Sequence, residues 1–330
     1  MTDSVVALDL GSNTLRAVRR DCRRGCFTAE YEKIVRTADG LAETGRISSE
    51  AVERILKALE EVREAVGFDA AALRAVSTEA LRRALNGAEV REQIRERSGI
   101  SFEIIDGEEE ARLTLLAVEE RLKRLGMDAD SFVLVDIGGG STELIYRSAG
   151  KTLSRSFPLG IVTLSQEAGS LEAVKELLSS RLEPLRRFVR EAEASTGPAE
   201  RFVATAGTPT TVAAMKLGMG YADYDARRIN GTRLERAELR HWLTHLLALD
   251  PEARTRAVGV GREDLIAAGI LIFEGMFDVT GFRECVVIDD GLREGVAIEL
   301  CGRGKGLEAC ASGRECAVAT LPSSEGKVGK

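Results

Sequence analysis

The chain has 330 residues, of which 44% are hydrophobic, and its formal net charge at pH 7 is −7. This length is enough for two domains with apolar cores. The negative charge argues against a general affinity for nucleic acid, so a polyanion would have to bind in a local basic cleft. The sequence has no apolar stretch long enough to cross a membrane, and its first residues are expected to enter a strand rather than to form a signal segment. We therefore expect a soluble cytoplasmic protein without membrane or nucleic-acid partners.

The first predicted element is a β-hairpin over residues 5–20, where an apolar run leads into Asp-x-Gly, a small polar turn and a second apolar run, VVALDLGSNTLR. Extended sequence at 27–36 and an amphipathic helix over Glu50–Val66 follow. The turn places backbone N–H groups and hydroxyls beside the carboxylate of Asp9. Such a turn suits a phosphate and a divalent cation, although Gly, Ser and Asn are also ordinary turn residues.

Two further segments of the first half join a strand to a helix. In STEALRR, two interpretations of Arg82 are open. Its planar guanidinium either binds a phosphate through paired N–H groups or is solvated on the surface of the helix. In IIDGEEEAR, Asp106 is expected to cap a helix, with Glu109 at the capping-box position. A glutamate near the phosphates there would be suited to ordering and deprotonating water.

The second half repeats this order of elements. A hairpin is predicted at 132–147, extended sequence at 151–157, a helix at 171–193, and a strand, turn and helix at 201–215. Thr205 follows Asp136 at the same spacing as Thr78 follows Asp9. The repeat predicts a duplicated α/β lobe with ligands bound between the two copies.

The turn of the second hairpin, DIGGGSTE, is the more specific of the two. Three consecutive glycines lose much conformational entropy on folding, which a purely structural turn would avoid. The carboxylates of Asp136 and Glu143 at its ends suit Mg²⁺. In TAGTPTT, the start of the next helix could receive an anion, or Thr208 could simply cap the helix.

After Asp264 we expect a strongly apolar helix, a strand at 285–288 and a last helix at 293–300. These elements predict a first lobe at 1–127, a second lobe at 128–301 whose last helix packs back on the first, and a flexible tail at 302–330. The six cysteines match no common zinc spacing and are expected to be free thiols. His241 and His245 are read as a helix face, not a metal site.

The ordered set of motifs DLGSNTLR, STEALR, DGEEEARL, VDIGGGSTEL, FPLGIVTL, TAGTPTT and GREDLIAAGILI resembles the exopolyphosphatase/guanosine-pentaphosphate phosphohydrolase (Ppx/GppA) family over about residues 4–300. That family belongs to the actin-like ATPase superfamily. The resemblance implies an α/β fold of two duplicated ribonuclease-H-like lobes with an active-site cleft between them.

The resemblance also implies roles for individual residues. Glu110 would be the general base that positions water. The metal, Mg²⁺ or another divalent cation, would be associated with Asp136, Glu143 and Asp9. Phosphate would be bound by a larger set, namely Gly11, Ser12, Asn13, Thr14, Arg82, Gly138, Gly139, Gly140, Ser141, Thr142, Gly207 and Thr208.

The implied reaction is in-line attack of water on the terminal phosphoanhydride of inorganic polyphosphate, guanosine pentaphosphate or both. The alternatives are an ATP-dependent small-molecule kinase of the same superfamily and a non-catalytic binder of guanosine tetraphosphate or polyphosphate. A homodimer is a further expectation. With only two histidines, the chain is not expected to form the C-terminal histidine–aspartate-type domain of longer members. It also has Thr163 where arginine is frequent in the family, so a substrate-side contact is expected to be missing.

Overall fold

The computed structural model describes residues 3–68, 71–303 and 319–320. The chain forms two compact units: unit 1 is Met1–Ile105 with Arg293–Lys330, and unit 2 is Asp106–Leu292. Residues 106–127, which the sequence analysis assigned to the first lobe, thus lie in unit 2. The limits of the lobes as folding domains stay a prediction.

Unit 1 contains a six-stranded sheet in the order β12-β3-β2-β1-β4-β5. Strands β1, β2 and β3 are antiparallel neighbours, whereas β4 runs parallel to both β1 and β5. The strands are β1 (Ser4–Leu10), β2 (Thr14–Asp21), β3 (Cys26–Ile34), β4 (Ala72–Ser77), β5 (Phe102–Ile104) and β12 (Ala319–Thr320). The helices are α1 (Leu41–Thr44), α2 (Ser49–Val66), α3 (Glu79–Arg83), α4 (Gly87–Ser98) and α14 (Leu292–Arg303).

Helix α2 confirms the predicted amphipathic helix. It begins after Ser48, whose hydroxyl accepts a 3.2 Å hydrogen bond from the amide of Ala51. Its apolar positions, spaced three and four residues apart, form one buried face, which includes Val52, Ile55 and Leu59. This face packs on β2 and β3, so the sequence period alone accounts for the orientation of the helix on its sheet.

Two contacts attach helix α14 within unit 1. Nη1 of Arg74 on β4 lies 2.6 Å from Oε2 of Glu299. Cys301 forms a disulfide bond with Cys22, with 5.3 Å between their Cα atoms. The expectation of free thiols is therefore wrong for these two residues, and it is also wrong for Cys26, which is disulfide-bonded as well. No local sequence pattern indicates this bond, because 279 residues separate the two cysteines.

Cys285 is a free, buried cysteine, in agreement with the expectation, and its burial raises the pKa of the thiol.

Unit 2 contains a six-stranded sheet in the order β10-β11-β9-β6-β7-β8. Its strands are β6 (Phe132–Ile137), β7 (Thr142–Ser148), β8 (Lys151–Phe157), β9 (Phe202–Thr205), β10 (Thr232–Glu235) and β11 (Glu284–Val287). Its helices are α5 (Gly107–Arg124), α6 (Ile161–Ala168), α7 (Leu171–Arg181), α8 (Glu183–Thr196), α9 (Gly207–Lys216), α10 (Ala226–Ile229), α11 (Arg236–Ala248), α12 (Pro251–Val258) and α13 (Ile266–Thr280).

The core of unit 2 is built around α13, the strongly apolar helix predicted after Asp264. Phe202 on β9 contacts Phe273 and Phe277 of this helix, with ring centroids 6.4 and 5.0 Å away. The single helix predicted over 171–193 is wrong, because the chain forms α7 and α8 there. Pro184 lies in the first turn of α8, where its missing N–H is tolerated but would break a continuous helix.

The two sheets confirm the predicted duplication of a ribonuclease-H-like lobe. Each has an antiparallel three-stranded meander, β1–β3 or β6–β8, and its first strand is also paired in parallel with a strand that follows a helix. Asp9 lies opposite Arg16 in one hairpin, and Asp136 lies opposite Glu143 in the other. The match is not exact in spacing, because Val76, rather than Thr78, is paired with Asp9, whereas Thr205 is paired with Asp136.

Most of the predicted tail at 302–330 lies outside the described residues. Residues 302–303 end α14, and Ala319–Thr320 pairs in parallel with β3. Among the described residues, no helix combines the length and the apolar character that crossing a membrane requires. His241 and His245 lie on α11 on either side of Trp242, and both rings contact the indole edge-on, as expected for a helix face.

Candidate functional site

The turn after Asp9 is a tight connection between β1 and β2 of unit 1. The amide of Gly11 donates a 2.9 Å hydrogen bond to the carbonyl of Thr14, which closes the turn. Ser12 is buried, Asn13 and Thr14 are partly exposed, and Oδ1 of Asp9 is buried. A Cβ at Gly11 would lie an ordinary 3.7 Å from the nearest atom, so the fold itself does not require glycine there.

The segment after β3 supports this turn from outside. The amides of Val35 and Arg36 both donate 2.9 Å hydrogen bonds to the carbonyl of Asn13, and the amide of Ala38 donates one to the carbonyl of Ser12. These bonds fix the backbone of the turn on the segment that follows β3. No local sequence pattern indicates this support, because it joins residues more than twenty positions apart.

Arg82 is held by its own unit and is not simply solvated. Its Nη1 donates a 2.6 Å hydrogen bond to the carbonyl of Ile105, and its Nη2 bonds the carboxylate of Glu79. The side chain is 27% exposed, so the part of the guanidinium that these partners leave uncovered remains reachable from solvent.

The second turn, between β6 and β7 of unit 2, repeats the first. The amide of Gly138 donates a 2.9 Å hydrogen bond to the carbonyl of Ser141. Asp136 and Glu143 are directly opposed across the two strands, so both carboxylates project from the same face of the sheet. Glu143 is only 1% exposed, and its Oε1 accepts a 2.6 Å hydrogen bond from Ser156, its neighbour on β8.

Helix α5 lies over this face of the sheet and carries Glu110. Asp106 caps the helix as predicted, accepting a 2.8 Å hydrogen bond from the amide of Glu109. The side chain of Glu109 pairs with Arg112. One turn after Glu110 on the same side of the helix, Thr114 Oγ1 lies 3.4 Å from Oδ2 of Asp136.

Two contacts fix the ends of α5 and so position Glu110, whose Oε2 is buried. At the N-terminus, a Cβ on Gly107 would lie 2.6 Å from Cβ of Ser156, so glycine allows the helix to approach the strand. Near the C-terminus, Arg121 forms a bidentate pair with Asp290, at 2.6 and 3.1 Å. The backbone carbonyl of Asp290 accepts a 3.0 Å hydrogen bond from Thr205.

The motif FPLGIVTL holds the glycine turn through its backbone. The amides of Ile161 and Val162 donate to the carbonyls of Gly138 and Gly139 at 3.0 and 2.8 Å. A Cβ at Gly160 would lie 2.3 Å from the carbonyl carbon of Gly140, a distance that no side chain tolerates. Gly160 is therefore required for the close approach of the two segments.

Thr163, the position noted above as frequently arginine, faces the same turn. Its hydroxyl lies 3.2 Å from the carbonyl of Gly160 and 3.4 Å from that of Gly140. Its amide donates to Gly139 at 3.3 Å. Thr163 thus contacts the turn and the start of α6 rather than extending away from them.

The third predicted loop begins α9 in a strained conformation. Ala206 has φ 73° and ψ −176°, a region that is essentially restricted to glycine. Thr208 is 2% exposed and makes no capping bond to the helix, so the capping alternative is wrong. It fits only because residue 269 is glycine, since a Cβ there would lie 2.3 Å from its hydroxyl oxygen.

The predicted residues are thus divided between the two units. Unit 2 brings together Asp136, Glu143, the Gly138–Thr142 turn and α5 with Glu110, while unit 1 holds Asp9, its turn and Arg82. That the two groups share one cleft stays a prediction. In the described part of the chain, no cluster of three or more His, Cys, Asp or Glu side chains is arranged to hold a metal.

Several supporting residues were missed by sequence reasoning. Ser156, Gly160 and Gly269 each act through a contact with a predicted residue far away in the sequence. Gly160 and Gly269 were inside recognised motifs, FPLGIVTL and GREDLIAAGILI, so their presence in a motif was the available signal. Ser156 had no such signal.

Comparisons with known proteins agree with this architecture. The chain is 29% identical to Exopolyphosphatase 2 of Mycobacterium tuberculosis over 331 aligned positions, covering 90% of this chain and 98% of that protein. The crystal structure of an Aquifex aeolicus Ppx/GppA family member superposes with a TM-score of 0.69 at 28% identity, covering 92% and 99% of the two chains. An exopolyphosphatase structure from Cytophaga hutchinsonii has a TM-score of 0.77 at 22% identity, covering 91% and 98%, and shows the fold alone. A model of the Ppx/GppA phosphatase family matches residues 26–303, and the chain belongs to this family.

Proposed function

We propose that this protein hydrolyses the terminal phosphoanhydride of inorganic polyphosphate, guanosine pentaphosphate or both, releasing orthophosphate. The observation that carries the proposal is the opposed pair Asp136 and Glu143, beside a glycine turn and beneath the helix of Glu110. In such a group, a carboxylate can accept a proton from water, and the exposed backbone amides of the glycine turn can bind phosphate. Both features suit hydrolysis.

In this proposal Glu110 is the general base. Its helix is fixed at both ends, by the Gly107–Ser156 contact and by the Arg121–Asp290 pair. A base held in this way accepts the proton of a water molecule aligned with the scissile bond without first becoming ordered. The proton passes to Glu110, the water oxygen bonds to phosphorus, and the bridging oxygen leaves with the shortened chain.

The phosphate groups are bound in this proposal by the turns. Unit 2 supplies backbone amides and hydroxyls from Gly138, Gly139, Gly140, Ser141, Thr142, Gly207 and Thr208. Unit 1 supplies the remaining hydrogen-bond donors from Gly11, Ser12, Asn13, Thr14 and Arg82. Donors aimed at the phosphoryl oxygens stabilise charge in the transition state, because their positions are fixed before the reaction.

Asp136 and Glu143, with Asp9 from unit 1, are proposed to hold a divalent cation, with Mg²⁺ as the first candidate. Oxygen donors of this kind suit Mg²⁺, which commonly takes one or two carboxylates and completes its shell with phosphate and water. Oδ1 of Asp9 is buried and Glu143 is 1% exposed, so a cation would balance negative charge shielded from solvent. The bound ion would neutralise charge on the phosphate chain.

Polyphosphate is the first substrate to test, because the relatives from Mycobacterium tuberculosis and Mycobacterium leprae are named exopolyphosphatases. Guanosine pentaphosphate ends in the same phosphoanhydride, and the name of the family includes both activities. The kinase and binder alternatives have no comparable support. A cytoplasmic location and a homodimer stay predictions.

The decisive experiment measures orthophosphate release from polyphosphate and from guanosine pentaphosphate, with Mg²⁺ and with excess EDTA. Glu110→Gln is expected to lower kcat by roughly 100-fold or more, the usual contribution of a general base. Glu108→Gln is the matched control, since Glu108 is exposed in the same helical turn. If Glu110→Gln retained the turnover of Glu108→Gln, the assignment of the base would be wrong. If the wild-type protein released phosphate from neither substrate, the proposed function would fail.

A further inference from the structure

Arg36 has an unusual backbone conformation next to the Ser12–Asn13 turn. Its φ is 49°, in the left-handed region that residues other than glycine seldom adopt. Hydrogen bonds fix it from both sides: its amide donates to the carbonyl of Asn13, and its carbonyl accepts from Nη2 of Arg54 at 3.2 Å. Arg54 Nε also donates to the carbonyl of Val35 at 2.8 Å. Strained residues held in this way are concentrated at binding and catalytic sites.

The side chain of Arg36 has no role within the described structure that would explain its position. The residue is exposed, and across the described ranges no carboxylate or carbonyl lies within bonding distance of its guanidinium. Its neighbours differ in this respect: Arg16 pairs with Glu32 at 2.9 Å, and Arg54 lies 3.7 Å from Asp39. All of the N–H donors of the Arg36 guanidinium are therefore available to a ligand.

Thr163 holds the corresponding position in unit 2. The amides of Val162 and Thr163 both donate to Gly139, as those of Val35 and Arg36 both donate to Asn13. The short side chain of Thr163 bonds back to its own loop, whereas that of Arg36 does not. The duplicated geometry thus carries a long cationic side chain in unit 1 only.

We propose that Arg36 is a further substrate-binding residue, which contacts phosphoryl oxygens of the chain held at the Ser12–Thr14 turn. A guanidinium binds two oxygens of a phosphate through parallel N–H bonds, which a flexible ammonium cannot reproduce. The hydrogen bond from its amide to Asn13 anchors Arg36 beside the turn without requiring any loop to close. This inference rests on the proposed function, because it assigns the anion at that turn to the substrate.

The test compares Arg36→Ala, Arg36→Lys and Arg36→Gly with the wild-type protein. Arg91→Ala is the matched control, because Arg91 is an exposed arginine on α4 of the same unit and its loss changes the net charge equally. KM and kcat for inorganic polyphosphate are measured at low and high salt. Binding of polyphosphate is also measured directly, in EDTA, by equilibrium dialysis.

Arg36→Ala is expected to raise KM and the dissociation constant about tenfold, with kcat within about twofold of wild type, and to weaken their salt dependence. Arg36→Lys is expected to recover part of the affinity. Arg36→Gly relieves the backbone yet is expected to bind as weakly as Arg36→Ala, since the guanidinium is what is lost.

Binding by Arg36→Ala equal to that by Arg91→Ala would overturn the assignment of Arg36, whether or not the protein is active. Wild-type affinity in Arg36→Gly would overturn it too, because the backbone alone would then explain the effect. Failure of the proposed function shows separately: the wild-type protein would then bind polyphosphate without releasing orthophosphate, and the dialysis would still decide the role of Arg36.

Discussion

The hydroxyl of Ser156 donates a 2.6 Å hydrogen bond to Oε1 of the buried Glu143. The same serine is touched from the other side by the start of α5, where a Cβ on Gly107 would lie 2.6 Å from its Cβ. Ser156 thus connects the helix that carries Glu110 to the carboxylate opposite Asp136. One small side chain therefore sets the position of two proposed functional groups.

Replacing Ser156 with alanine is expected to lower kcat/KM about tenfold and to raise the Mg²⁺ concentration needed for half-maximal phosphate release. The physical reason is that a buried carboxylate loses a hydrogen bond worth roughly 1–3 kcal/mol and is no longer oriented. The measurement is a Mg²⁺ titration of phosphate release. Ser154→Ala on the exposed part of β8 is the control, and equal titrations for the two variants would contradict the role of Ser156.

Gly160→Ala is expected to reduce phosphate release by about 100-fold and to destabilise the protein by roughly 1–3 kcal/mol, the range for overpacking. The added methyl group would meet the backbone of Gly139 and Gly140 at 2.3–2.5 Å, so the phosphate turn must move. Steady-state kinetics and thermal unfolding check both effects. Gly302→Ala is the control, because nothing lies within 4 Å of a Cβ at that position. Wild-type kinetics in Gly160→Ala would show that the turn is free to shift.

Ala206→Gly is expected to stabilise the protein by about 1 kcal/mol. The strain energy that glycine relieves in the folded state exceeds the additional entropic cost of ordering a glycine on folding. The conformation at issue is φ 73°, ψ −176°. Thermal unfolding measures the effect. Ala173→Gly, inside helix α7, is expected to destabilise by a similar amount, and a lower melting temperature for both variants would contradict strain at Ala206.

Removing the Cys22–Cys301 bond with the double variant Cys22→Ser, Cys301→Ser is expected to cost about 2–4 kcal/mol, because a closed loop in the unfolded chain is opened. Denaturant unfolding of the double variant and of each single variant measures the cost. Each single substitution already breaks the bond, so all three variants are expected to lose nearly the same stability. Losses that simply added up would mean that the two cysteines act independently.

Repetition explains why much of the fold could be predicted. Two hairpins with Asp-x-Gly turns, each followed by a third strand and a helix, predicted the shared order of elements in the two halves and their duplication. The prediction failed where local pattern is ambiguous: the apolar period continues through Pro184, although the chain forms two helices there. Strand β10 (Thr232–Glu235) was not predicted, because its four residues carry no alternation that distinguishes them from a loop.

Like the fold, the candidate site could be predicted only in part from the sequence. Glu110, Asp136, Glu143 and the glycine turn could be named from motifs, because their chemistry is visible in residue type and spacing. The residues that support them could not be named from motifs. Ser156, Gly160 and Gly269 are important only because of their contacts with residues that are distant in the sequence. For Arg82, the sequence allowed either a phosphate contact or a solvated side chain. The structure shows hydrogen bonds to Ile105 and Glu79, which neither interpretation predicted.

By itself, the sequence determined the α/β class, the repeated hairpins and the residues able to take part in phosphate chemistry, since periodicity and motif are local properties of the chain. Only the tertiary structure decided which carboxylates are opposed, that Cys22 meets Cys301, and that Arg36 is held in a left-handed conformation beside Asn13. These facts depend on strand register and on close approach between distant segments, which packing of the whole unit fixes and no local pattern records.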